Sequence, residues 1–155
     1  MADFKEARSV MVFPPVNELE LVGVFDRGVP NLERIALRSR QHVDMSQFAI
    51  LAGLYTTNGL TLQALLPAND HFFWFGNAFA EKDEWIFVYT GSGMPKKTTL
   101  EGTNITAYVL HWNKPTTLFA DSRMVPALLR AGGILIARPP LNQPQLALTD
   151  SMAGT

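Results

Sequence analysis

Phe48-Ala-Ile-Leu-Ala-Gly-Leu-Tyr-Thr-Thr-Asn58-Gly59-Leu-Thr-Leu-Gln-Ala-Leu-Leu66 sets two runs of apolar and β-branched residues on either side of Asn-Gly. Asn-Gly accepts positive φ at both central positions of a type I′ turn, so the stretch predicts a two-residue β-hairpin. The register that follows places Thr57 opposite Leu60 and Tyr55 opposite Leu62. Two apolar strands joined this tightly make an antiparallel sheet the natural nucleus of the fold.

Downstream, Pro67-Ala-Asn-Asp70 interrupts the run. His71–Phe75 and Glu84–Thr90 then read as aromatic-rich strands separated by a turn at Glu81-Lys82-Asp83. Gly91–Lys97 reads as a loop. Asn104–Asn113 and Thr116–Ala120 read as a further hairpin, turned by Asn113-Lys114-Pro115. Upstream, Arg8–Phe13 is a short apolar strand stopped by Pro14-Pro15, and Glu18–Asp26 and Leu32–Arg40 flank the turn residues Arg27-Gly28-Val29-Pro30. Alternation along Leu32–Arg40 puts Ile35, Leu37 and Ser39 on one face and Arg34, Arg38 and Arg40 on the other.

One helix is expected late in the chain, around 122–131. Asp121 or Ser122 is a suitable N-cap, and Met124, Val125, Leu128 and Leu129 recur at roughly helical spacing. Pro126 falls near the first turn and Gly132-Gly133 supplies the stop. Ile134–Arg138 reads as a last strand. The expected fold is mainly β, bordering on α+β: an antiparallel barrel or sandwich of short strands with this one helix. Residues 1–140 form a single β-rich domain, and 141–155 a loosely ordered Pro- and Gln-rich tail.

The composition restricts the function. The chain has 155 residues, a formal net charge of −1, 17% charged residues and no cysteine. There is accordingly no disulfide framework, no thiolate metal site and no cysteine nucleophile. The near-neutral balance removes the global electrostatic case for nucleic acid. No run is apolar for long enough to span a bilayer, which with the lack of a signal-like start points to a soluble, cytoplasmic protein.

No catalytic signature stands out. Gly91-Ser-Gly-Met-Pro-Lys96-Lys97-Thr98 has a lysine where a phosphate loop needs its second glycine, and no helix start follows. No serine sits in a Gly-x-Ser-x-Gly elbow. The three histidines, His42, His71 and His111, lack metal-ligand spacing, so neither a metal nor a cofactor is expected. The candidates for binding an anion are Arg34, Arg38, Arg40 and His42, which share strand parity, with Lys96 and Lys97.

Several strands are apolar on both faces, although an antiparallel strand with one wet face should alternate. A homo-oligomer, with a two-fold dimer favoured, or another protein partner is therefore expected to cover part of the surface. The interface candidates are Phe73, Phe75, Trp85, Phe87, Tyr108 and Trp112. The leading functional expectation is a non-catalytic binding or assembly module acting through apolar strand faces and loops. Two alternatives stand beside it. One is a small enzyme with a barrel pocket, using His71 or His111 with an aspartate. The other is an anion or nucleic-acid binder working through the arginine row.

Overall fold

In chain order the strands are β1 (Leu19–Phe25), β2 (Arg34–Ser39), β3 (Val43–Asp44), β4 (Phe48–Thr56), β5 (Ala64–Trp74), β6 (Phe79–Ala80), β7 (Trp85–Tyr89), β8 (Lys96–Thr99), β9 (Thr106–His111) and β10 (Met124–Arg130). They are taken from a computed structural model that describes residues 14–56, 64–135 and 137. A five-stranded sheet has the order β1-β2-β7-β9-β8, a three-stranded sheet the order β10-β4-β5, and β3 pairs with β6. The fold is mainly β, as expected. Both larger sheets keep open edges, so the sandwich form of the expectation holds and the closed barrel does not.

The inner faces of the two sheets share one core. Ile35, Leu37, Ile86 and Val88 come from the larger sheet, and Phe48, Ile50 and Ala52 from the smaller. The parity read along β2 is observed, with Ile35, Leu37 and Ser39 buried. All pairings are antiparallel except β7 with β9, which run parallel with β8 on the far side of β9. Among the described residues no helix is long and apolar enough to cross a membrane.

The expected helix at 122–131 is instead β10, which pairs with β4 from Met124↔Leu54 to Arg130↔Phe48. Its misleading start has a physical cause. Asp121 accepts from the Arg123 backbone N–H at 2.9 Å, the contact two residues on that also marks an N-cap. Here it makes a turn that feeds a strand. Pro126 has a strand explanation as well. Tyr55 N–H donates to the Arg123 carbonyl and Ala131 N–H to the Gln47 carbonyl, so odd-numbered residues of β10 bond to β4. Pro126 therefore faces the open edge, where its missing N–H costs no ladder bond. A ten-residue helix is marginal alone, whereas the strand gains a full ladder.

Arg123 also bonds Asp121 through its guanidinium, and the side-chain and backbone contacts together hold the Asp121 carboxyl down to about 2. A carboxyl held low in the folded state adds stability that is complete above its ordinary value of about 3.9 and is lost as pH falls towards about 2. Carboxyl titration by NMR should place the Asp121 midpoint near 2, and Arg123→Ala should raise it only part of the way to the ordinary carboxylate range, because the backbone N–H at position 123 still donates.

The β4–β5 hairpin exists, but its register differs from the expected one. Tyr55 pairs with Leu65 and Thr56 with Ala64, three residues out of step with a two-residue turn at Asn58-Gly59. That turn itself, at 57–63, lies outside the described residues. Beyond a register shift after Gly53↔Pro67 the ladder resumes at Leu51↔Phe72, so β5 runs on through Pro67. As an edge strand it tolerates the proline. Burial of Phe73 opposite Ile50 fixes the inward face, and this outweighs the turn preference. Thr116–Ala120 is not a strand, because its backbone donors go to a buried carboxylate described below. Ile134 and Leu135 are exposed and irregular rather than part of a last strand. The expected strand at Arg8–Phe13 and the tail at 141–155 lie outside the described residues.

Glu33 is fully buried at 0% exposure. Its carboxylate accepts from Gly28 N–H (2.7 Å), the Thr90 hydroxyl (2.9 Å), Leu118 N–H (2.7 Å) and Phe119 N–H (3.1 Å). It therefore ties the β1–β2 loop, the end of β7 and the segment after β9 into one knot. Arg27 closes the same corner from outside, donating to the carbonyl of Met124 at 2.9 Å and lying 5.9 Å from the Phe119 ring centroid.

Candidate functional site

The six anion candidates do not converge. Arg34 meets Asp26 at 2.5 Å, Arg38 meets Asp83 at 2.8 Å, Arg40 meets Glu20 at 3.8 Å and His42 meets Glu81 at 2.8 Å. Each pair is exposed or half-exposed and individually weak. Together they cancel the field an anion would need. Arg34 is also engaged by the rings of Phe25, Phe87 and Tyr89, at 5.5, 6.0 and 5.7 Å. Lys96 and Lys97 lie on β8, separated from β2 by β7 and β9, roughly 14 Å across the sheet. Lys97 sits 5.8 Å from the Tyr108 ring centroid.

The histidines stay apart as well. Among the described residues no three His, Cys, Asp or Glu side chains are grouped to hold a metal. Among the described residues His42 and Glu81 form a His–carboxylate contact at 2.8 Å, but the pair is at the surface, with His42 stacked on Phe79. His111 stacks on Tyr89 at 5.5 Å, and its Nδ1 is buried without a hydrogen bond, as is that of His71. A hollow of about 70 Å³ beside Tyr108 is walled by Met45, Phe75, Ile86 and Leu110. The Tyr108 hydroxyl donates to Glu84 at 3.2 Å. Burial and the Glu84 carboxylate push the phenol's pKa up, so it stays protonated and serves as a structural donor.

The interface candidates divide by face. Phe73, Phe75 and Tyr108 pack on the core and Trp112 belongs to it. Phe73 meets Phe75 edge-on at 5.2 Å and Trp112 at 5.6 Å. Trp112 is buried, and the other three are half-buried against the core. Trp85 and Phe87 lie half-buried on the outer face of the larger sheet, stacked on each other at 5.8 Å. Rings stacked this way offer edges rather than faces, which argues against a platform for bases or sugars.

An exposed apolar surface lies on the outer face of the three-stranded sheet. Phe72 is 54% exposed, Trp74 49% and Leu129 42%. Register builds this face row by row: Trp74, Ala49 and Leu129 form one row, and Phe72, Leu51 and Ala127 the next. The Trp74 indole N–H donates to the Ser46 carbonyl at 2.7 Å, which satisfies its polar atom and leaves the ring apolar. A cleft of about 780 Å³ opens at this end of the face. Phe72, Trp74, Leu129, Ile134 and Pro14 line it, with Arg130 at the rim. Arg130 is paired with Glu18, so the cleft offers no unpaired charge there.

The aromatic run and its alternation were legible in the sequence, and the register decides which of its members are the more exposed. Phe72 and Trp74, not Phe73 and Phe75, face out, and Leu129 was assigned to a helix. The signal was present in the two-sided apolarity of β4, but choosing between the faces needed the register with β5. No protein-family model matches this chain, and no curated protein or solved structure matches it either.

Proposed function

We propose that this chain is a non-catalytic binding and assembly module that works through the outer face of its three-stranded sheet and the adjoining cleft. One observation carries the reading: Phe72, Trp74 and Leu129 form a contiguous apolar surface with no charged group on it. Soluble proteins seldom leave such a surface uncovered, and apolar patches of this kind mark contact sites. The edge beside it is protected against strand addition, by Pro126 in mid-strand and by Arg27 on the Met124 carbonyl. Contact therefore falls to the face. The charge-paired rim suits a neutral partner, and a second copy in a two-fold dimer fits best. A chain without cysteine suits a reducing, cytoplasmic setting.

Light scattering at low micromolar concentration should give a mass twice 17.2 kDa. Leu129→Arg would put a charge on the β10 side of the face, in the row of Trp74, and should weaken association about tenfold or more, the loss seen when a buried interface anchor is removed. A wild-type mass of 17.2 kDa would end the dimer reading.

A further inference from the structure

We propose that the hollow beside Tyr108 is a binding site for a small organic cation, a methylated or quaternary ammonium group. It shares no residue with the cleft at the three-stranded sheet, so it stands apart from the assembly reading. Tyr108 and Leu110 on the inner side of β9 are only half-buried, and the hollow lies against them. Buried Met45, Ala80 and Ile86 form its floor, and the exposed Ala78 and Phe79 stand at its rim. Its volume of about 70 Å³ is a little over that of two waters at about 30 Å³ each. A nitrogen carrying methyl groups is of this size, whereas a sugar or a base is too large.

The walls and the nearby charge select the cation. The rings of Phe75, Phe79 and Tyr108 line the hollow with the Met45 thioether. Aromatic faces carry negative potential, and a group of rings shielded from water holds an ammonium strongly. Tyr108 already attracts one, because the Lys97 ammonium lies 5.8 Å from its ring centroid. Register sets Lys97 on the β8 side of Tyr108 and Ile86, in the floor of the hollow, on the β7 side. The Tyr108 hydroxyl donates to Glu84 at 3.2 Å, which brings a carboxylate to the edge of the hollow. Two carboxylates of this acidic turn are paired, Glu81 with His42 and Asp83 with Arg38. Glu84 is half-buried, accepts from the Tyr108 hydroxyl and the Glu81 N–H, and has no Lys, Arg or His partner among the described residues. A carboxylate without a counter-cation beside a ring-lined hollow complements an ammonium whose N–H groups are replaced by methyls. The methyls meet the rings and the charge meets Glu84. A bare ammonium would give up its water-bound N–H groups against apolar walls, which disfavours it.

The test is a methyl NMR titration of the full chain with choline chloride, with 3,3-dimethylbutan-1-ol, and with sodium chloride as the ionic-strength control. The alcohol has the shape of choline with carbon in place of the charged nitrogen. Choline should shift the Met45 and Ile86 methyl signals saturably, and bind about fivefold or more tightly than the alcohol. Phe79→Leu removes an exposed ring and Glu84→Gln removes the charge while keeping the side chain's shape. Each should weaken choline about fivefold and leave the alcohol's affinity unchanged. Equal affinity of the wild type for choline and the alcohol would show a hollow selective for shape alone, and would overturn the proposal. So would choline shifts that sodium chloride reproduces, the absence of any saturable shift, or unchanged choline affinity in either variant.

Discussion

Glu33→Ala should lower the stability of the fold by about 4 kcal/mol or more, measured by denaturant unfolding. The carboxylate is fully buried and serves three backbone N–H groups and one hydroxyl. Each buried donor left without an acceptor costs about 1–3 kcal/mol. Glu33→Gln is the more discriminating variant. It preserves shape but replaces one acceptor oxygen with an NH₂ group that points at N–H donors. Whichever oxygen is replaced, a backbone donor loses its acceptor, because Leu118 bonds to one oxygen and Gly28 and Phe119 to the other. The loss should be roughly 2 kcal/mol or more. A Gln variant as stable as the wild type would mean that the site needs volume rather than negative charge.

Gly93→Ala should cost about 2–3 kcal/mol, the upper range for forcing a methyl group into a filled site. The added Cβ would stand 2.6 Å from His111 Nδ1, and closer still to Cε1 and Nε2. The ring has little room to yield. It stacks on Tyr89 at 5.5 Å, and Arg34 lies 5.7 Å from the same Tyr89 ring. The loop carrying Gly93 is anchored to Asn113, whose side chain accepts the Gly93 N–H at 3.3 Å. The double variant Gly93→Ala/His111→Ala should recover part of the loss, with a coupling of about 1 kcal/mol or more in a double-mutant cycle. Strictly additive costs would show that the loop simply lifts away from the ring.

Strand periodicity made most of the sheet legible in the sequence. β1, β2, β4 and β7 fall close to where alternation and aromatic content place them, because burial on a pleated surface writes itself at a period of two. Glu33, one residue ahead of β2, went unread although the same alternation covers it. It is in phase with Ile35, Leu37 and Ser39, so its carboxylate falls on the buried side of the chain leading into β2. What alternation cannot convey is pairing. That β10 joins β4, that β9 lies beside β7, and that Phe73 rather than Phe72 turns inward all depend on contacts distant in sequence. The helix misreading at 122–131 shows how far local chemistry can mislead. The same Asp121 contact starts helices and turns alike, and Pro126 suits a helix start as well as a sheet edge. The candidate site shared this limit. Its aromatic residues were visible, but the face they present was set by register.

The placement of β9 has a kinetic consequence. It lies between β7 and β8, although β8 comes before it in the chain. Neighbouring strands therefore cannot zip together in order of synthesis. Either β8 and β9 pair as a hairpin that docks along β7, or β9 docks first and β8 then adds to its free edge; both routes require the non-local parallel ladder from Trp85↔Ala107 to Tyr89↔His111. Until β9 docks, the edge of β7 stays open, with the stacked rings of Trp85 and Phe87 beside it. Sheets that rely on such non-local pairing fold slowly, on the order of milliseconds to seconds. The half-assembled state, rather than the finished fold, is then where this chain is most prone to pair with the wrong strand.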